Sequence, residues 1–223
     1  MHRLVEEELK RVNQQMSTYI QDSEIMRFNV SRSTDWFSVS IETVSVLDLS
    51  LQISVVSDGA FDVTVGPLVN LWGFGPNKRK NSIPTDEELE TARAAVSFKN
   101  LAVRLDPPAL KKMDPALQVD LSAIAKGHGV DRVSEVIRTH GITNFFVEIG
   151  GEIFASGMRV DGMLWQVGIE APLDFKRSIQ TIIGISGVAL ATSGDCRNFF
   201  ESEGQRFSQG MQAAYGCGIV YQG

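Results

Sequence analysis

Val5, Leu9, Val12 and Met16 recur at spacings of four, three and four with charged or polar residues between them. The chain therefore opens on an amphipathic helix that needs a partner surface. A second helical run covers about Ser38 to Ser57, rich in Val, Leu and Ile, and stops at Asp58-Gly59, a pair suited to a turn. Pro76 to Ser82 is polar and basic and reads as a surface loop. Thr85, with Glu88 three residues on, begins a capping box that opens a short helix through about Val96. Leu101 to Leu105 is a predicted strand, followed by a turn at Asp106-Pro107-Pro108. From Ile124 to His140 a further helix carries Val130, Val133 and Ile137 on one side and ends at Gly141.

The remainder is dominated by short strands at Asn144 to Ile149, Glu152 to Ser156, Trp165 to Glu170 and Ser178 to Ile185, separated by Gly, Pro and Asp turns. Helices first and strands later predict an α+β fold. There is no internal repeat, and no Pro/Ser-rich linker marks a domain boundary, so residues 1 to 208 read as one domain. Gln209 to Gly223 differs: it holds four glycines, no charged residue and no period, and reads as a break in the natural sequence.

Composition narrows the classes. The 223 residues are 43% apolar, enough for a sizeable core, and the net charge is −6 with lysines and arginines spread along the chain. That distribution argues against a nucleic-acid partner, which would need a basic face. The two cysteines, Cys196 and Cys217, form no CxxC pair and no zinc-ligand cluster with histidine. Apolar stretches fall short of the roughly 18 residues that a membrane-spanning helix needs, and Met1 to Arg11 is charged, with no signal-peptide core.

Four segments combine residue types that can do chemistry. In Ser57 to Leu68 two glycines, Phe61 and the carboxylates of Asp58 and Asp62 follow a buried helix. This is either a tight helix-to-strand corner or a loop whose backbone approaches a ligand, with Phe61 offering a flat face. Val119 to Gly129 leads from a turn into a helix start, where free N–H groups favour phosphate and Lys126 can neutralise its charge. The bland alternative makes Ser122 an ordinary N-cap and Lys126 a solvated charge. Glu148-Ile149-Gly150-Gly151-Glu152 joins two strands as a hairpin corner or as bare backbone for a cofactor. Ala191 to Asn198 places Thr192 and Ser193 at the end of an apolar run without a nucleophile elbow, which leaves a turn or a ligand hydrogen bond. His128 reads as structural or exposed, and Cys196, beside Asp195 and Arg197, as a reactive thiol or, by default, a small buried residue.

In this order the segments resemble the ApbE family of FAD:protein FMN transferases. The likeness is carried by Met16 to Tyr19, Asp22 to Ile25, Arg27-Phe28-Asn29, the run SDGAFDVTVGPLVNLWGFG at 57 to 75, VDLSAIAKGHGVD at 119 to 131, VEIGGEIFASG at 147 to 157 and ATSGDCRNFFE at 191 to 201. The resemblance implies helices packed on mainly antiparallel sheets. It implies flavin-nucleotide contacts from Tyr19 and Ala60-Phe61-Asp62, with Asp120 and Lys126 in the FAD site and Gly150 and Gly151 bordering it. Thr192 and Ser193 lie in a matching segment near the site, and the backbone oxygen of Ala123 would be one magnesium ligand. The implied reaction is magnesium-dependent transfer of FMN from FAD to a threonine of an acceptor flavoprotein, of the redox-pump subunit type, with release of AMP. FAD storage without transfer and FAD pyrophosphatase activity are the alternatives. The expected place is the bacterial cell envelope, on the periplasmic side of the inner membrane.

Two departures accompany the likeness. Family members usually begin with an export signal or lipid-anchor cysteine and a flavin-contacting strand, and continue after Ser208 with a segment and a helix that complete the metal site. With Gln209 to Gly223 in that place, an incomplete magnesium shell and little or no transfer activity are expected.

Overall fold

The computed structural model describes residues 1–76, 83–170, 179–192, 199–202 and 205–208. The helices are α1 (His2–Met16), α2 (Glu24–Val30), α3 (Ile41–Val56), α4 (Gly66–Leu71), α5 (Asp86–Ala94) and α6 (Ala125–Thr139). The strands are β1 (Phe37–Ser38), β2 (Leu101–Arg104), β3 (Ala109–Lys112), β4 (Phe145–Ile149), β5 (Glu152–Ser156), β6 (Trp165–Glu170), β7 (Ile179–Ile185), β8 (Val188–Leu190), β9 (Phe199–Ser202) and β10 (Gln205–Ser208). Every pairing among them is antiparallel, in the orders β1-β3-β2, β4-β5-β8, β6-β7 and β9-β10. This is the α+β class that the order of helical and extended patterns predicts. The described residues divide into two compact units, the boundary falling after Arg11 in α1 and after Ala125 in α6.

The sheet-rich unit holds residues 1–11, 126–170 and 179–192. Alternation along β4 and β5 explains its layers. Phe145 and Val147 of β4, with Phe154 of β5, face Val130 and Val133 of α6 and Val5 and Leu9 of α1. The intervening Ile153 and Ala155, with Phe146, face Val167, Ile185 and Trp165 of the β6-β7 pair. The central sheet is thus apolar on both faces, which is why these strands lack a polar side. At the end of α6, Gly141 sits at φ 77° with open space where a side chain would go. Gly141→Ala should therefore cost about 1 kcal/mol through backbone strain alone. Urea denaturation checks this, and an unchanged midpoint would refute it.

The second unit, residues 12–76, 83–125, 199–202 and 205–208, is helical around a small sheet. Val12 and Met16 of α1 join Ile25 and Phe28 of α2, Val44 and Leu47 of α3, and Leu110, Leu117 and Leu121 in one core. Glu24 locks α2 to α3, its Oε2 accepting from Ser40 N (3.0 Å), Ser40 Oγ (2.8 Å) and Thr43 Oγ1 (2.7 Å). A carboxylate at the N-terminus of α3 also suits the helix dipole. The core face of α3 carries Ser50 and Ser54, whose hydroxyls donate to Val46 O (2.7 Å) and Ser50 O (2.9 Å), so their burial leaves no orphan group.

Most predicted elements lie within a few residues of those observed, and the Thr85–Glu88 capping box is present. The helix at 38 to 57 starts later, at Ile41 with Ser40 as N-cap, because Phe37 and Ser38 pair with β3 instead. The chain after Asp58-Gly59 runs through a loop into α4 and not into a strand, so the helix-to-strand corner is corrected to a helix-to-helix one. Pro67 at the start of α4 suits its first turn. Ser122 is not the N-cap of α6, which begins at Ala125. Ser193, Cys196, Cys217, most of the loop after Pro76 and the tail from Gln209 lie outside the described residues. No helix among the described residues is long and apolar enough to cross a membrane.

Candidate functional site

Tyr19, Ala60, Phe61, Asp62, Asp120 and Ala123 belong to the helical unit, and Lys126, Gly150, Gly151 and Thr192 to the sheet-rich unit. In the helical unit, α3 ends through Asp58 (φ 51°) and Gly59 (φ 79°), which turn the chain back so that Gly59 N donates to Ser54 O at 2.8 Å. Asp62 then organises the loop. Its Oδ1 accepts from Thr64 N and Thr64 Oγ1, both at 2.7 Å, and its Oδ2 accepts from Phe98 N at 2.8 Å. With both carboxylate oxygens engaged and the residue buried, Asp62 shapes the loop, while exposed Ala60 and half-buried Phe61 are its accessible neighbours.

Asp120 is also buried, and its backbone N–H donates to Val63 O at 2.7 Å, tying the second motif to the first. Its Oδ1 accepts from Ser122 N at 2.8 Å and from Ser122 Oγ, an Asx turn that explains why Ser122 does not cap α6. Oδ2 takes no donor among the described residues and is available to a ligand. Asp120 lines a cleft of about 390 Å³ together with Thr18, Asn29, Arg32, Asn70 and Gln118. Tyr19, beside that wall, is 68% exposed, its ring open for stacking and its hydroxyl 3.4 Å from Phe74 O.

Asn29 holds the strand-like segment before Asp120: its Nδ2 donates to Val119 O and its Oδ1 accepts from Val119 N, each at 2.8 Å. Lys112, fully buried, donates through Nζ to Leu117 O (3.1 Å), Ser31 O (3.0 Å) and Asn29 O (3.4 Å). Neither residue stands out in the sequence, since a lysine in a strand and an asparagine near a helix end are ordinarily solvated.

In the sheet-rich unit, Gly150 and Gly151 make the β4-β5 turn at φ 58° and 99°, as the hairpin reading of that segment expects. A Cβ on Gly150 would sit 3.1 Å from Lys126 Cδ, and one on Gly151 would sit 3.8 Å from Thr192 Oγ1. The turn is thus bare backbone between the stem of Lys126 and the hydroxyl of Thr192. Lys126 is not a lone solvated charge: its ammonium pairs with Glu152 Oε2 at 2.7 Å and donates to Gly150 O at 3.3 Å.

A model of the ApbE family matches residues 1–219. This chain belongs to the ApbE family. An FAD:protein FMN transferase of Vibrio cholerae is 49% identical over 200 residues, covering 90% of this chain and 59% of that relative. The protein of the same name from Haemophilus influenzae is 41% identical over 224 residues, 99% of this chain and 65% of the relative. The solved flavin transferase ApbE from Vibrio cholerae superposes with a TM-score of 0.89 at 44% identity, over 98% of this chain and 69% of that structure. The chain therefore spans about three-fifths of the length of these curated relatives.

Membership in the ApbE family raises the question of a cation. Among the described residues no group of three His, Cys, Asp or Glu side chains is placed to hold one. Ala123 lies in the exposed turn before α6, and a backbone carbonyl is the hard oxygen that magnesium accepts.

Proposed function

We propose that this chain is the main part of an FAD:protein FMN transferase that moves FMN from FAD to a threonine hydroxyl of an acceptor flavoprotein, with magnesium and with release of AMP. The observation that carries the reading is the 49% identity with a transferase of that name across 90% of this chain. The site geometry supports it. The exposed ring of Tyr19 and the half-buried ring of Phe61 offer flat faces of the kind that stack on a flavin or an adenine. Asp120 Oδ2 can accept a hydrogen bond from a nucleotide N–H or O–H. Lys126 can donate to a phosphate oxygen beside the bare backbone of Gly150 and Gly151.

In the proposed reaction the threonine oxygen forms a bond to the FMN phosphorus, the pyrophosphate P–O bond breaks, AMP departs with its electron pair, and the hydroxyl proton is released. The protein's residues bind, orient and neutralise charge, which is the larger share of catalysis in phosphoryl transfer. Magnesium, held in part by the Ala123 carbonyl, would polarise the phosphorus and stabilise the departing phosphate. The acceptor is proposed to be a subunit of a membrane redox pump, as the family resemblance implies.

Titration of the chain with FAD, followed by flavin fluorescence, tests this reading. Saturable binding that tightens with magnesium is expected, and no binding by a folded chain sinks the flavin assignment. Incubation with FAD, magnesium and an acceptor protein then decides the chemistry. Flavin that survives denaturation on the acceptor supports transfer and refutes the expectation of little or no activity from an incomplete magnesium shell, whereas AMP release without acceptor identifies a pyrophosphatase.

A further inference from the structure

Resting on the flavin reading above, we infer that Glu152 is the positioning residue for Lys126, its carboxylate holding the partly exposed ammonium against the glycine turn, where it can meet a phosphate oxygen. Glu152 is the first residue of β5, and its register opposite Ile149 of β4 places it immediately beyond the Gly150-Gly151 turn. Its side chain is only 17% exposed, and its Oε2 atom is closed off from solvent with the Lys126 ammonium as ion-pair partner at 2.7 Å. A carboxylate oxygen in that setting needs its cation, because burial of an unpaired charge is costly.

The lysine is constrained from three directions. Its backbone is fixed in the first turn of α6, its Cδ packs where a Gly150 side chain would be, and its Nζ donates to Gly150 O at 3.3 Å. An ammonium has three N–H donors. One is donated to Gly150 O, Glu152 Oε2 holds the ammonium as an ion pair at 2.7 Å without a hydrogen bond aligned on it, and the remaining donor capacity sits on a side chain that is 45% exposed. A four-carbon stem on a free lysine carries considerable rotamer entropy, which a ligand would have to remove on binding. Glu152 removes it in advance. The pair has no net charge, so the contribution of Lys126 to phosphate binding comes from a localised donor more than from long-range attraction.

Glu152→Gln, Lys126→Met and the double variant test this in the full chain, with circular dichroism to compare folding. Glu152→Gln should weaken FAD binding about two- to five-fold, the span of a partly exposed ion pair, and should have no further effect in the Lys126→Met background. Tighter binding by Glu152→Gln, or an equal loss in both backgrounds, overturns the inference. Acetylation of the ligand-free proteins, read by mass spectrometry, decides it without flavin. The Lys126 amine should label about two- to five-fold faster in Glu152→Gln than in the parent while the other lysines are unchanged. An unchanged Lys126 rate, or faster labelling at all lysines, refutes the positioning role. If the folded parent binds no FAD, the flavin reading fails while the labelling result still stands or falls by itself.

Discussion

Lys112→Met should lower the unfolding free energy by about 3 kcal/mol at neutral pH, and by more as the pH is raised toward 10. Methionine preserves the length and apolar contacts of the stem but has no donor for Leu117 O, Ser31 O and Asn29 O. Leaving a buried carbonyl without its donor costs about 1–3 kcal/mol each. The loss is offset in part because a charge is no longer buried. Burial pushes the Lys112 ammonium down to about 8 from its ordinary 10.5, the positive Arg32 acts in the same direction, and Asp114 opposes both. At pH 7 that shift corresponds to a penalty of about 3 kcal/mol.

The sign of the pH dependence follows from proton binding. Between about 8 and 10.5 the unfolded chain holds the Lys112 proton that the folded chain has released, so this residue's contribution to stability rises with pH across that window. Other groups titrate there too, but they cancel when the parent is compared with Lys112→Met. Urea denaturation of both proteins at pH 7 and pH 10 should therefore show the gap between them widening. A constant gap would mean that the lysine is not perturbed, and a gap near zero at both values would mean that its three acceptors find other donors.

Asp62→Ala should be comparably damaging, about 3 kcal/mol in stability, and should also reduce FAD affinity at least about tenfold. The substitution leaves Thr64 N, Thr64 Oγ1 and Phe98 N without their acceptor. It also releases the loop that presents Ala60 and Phe61. Asp62→Asn separates the two consequences. The amide oxygen can still accept from both donors of Thr64, while the amide nitrogen meets the Phe98 N–H, donor against donor. A loss of about 1–2 kcal/mol is expected there, with thermal unfolding and flavin titration as the readouts. If Asp62→Ala unfolds at the same temperature as the parent but binds no FAD, the carboxylate is a direct ligand contact and not the organiser of the loop.

Much of this protein is legible from pattern alone. The four strands from Phe145 to Ile185 lie within a residue of the ends that their pattern predicts, because apolar alternation bounded by glycines is a local signal. The capping box at Thr85 and the stop at Gly141 are equally local. The elements that escaped are short or poorly patterned: the seven-residue α2, the six-residue α4, the two-residue β1, and β3, β8, β9 and β10, which pair with other strands and carry no clear period of their own. The motifs around Asp62, Asp120 and Gly150 were visible as unusual residue combinations, and the family they resemble is the one to which the chain belongs.

What tertiary structure alone decided is the role of individual polar groups. Asp62 and Asp120 are both acidic residues in glycine- and serine-bearing loops, yet one has both oxygens engaged by the protein and the other keeps Oδ2 open at a cleft. Lys112 and Lys126 are the same residue type, yet one is sealed against three carbonyls and the other is half exposed beside Glu152. Periodicity is a property of neighbours along the chain and so survives in the sequence. Hydrogen-bond partnership and desolvation depend on groups tens of residues away, such as Asn29 on Val119 or Asp62 on Phe98, and arise only when the chain has folded.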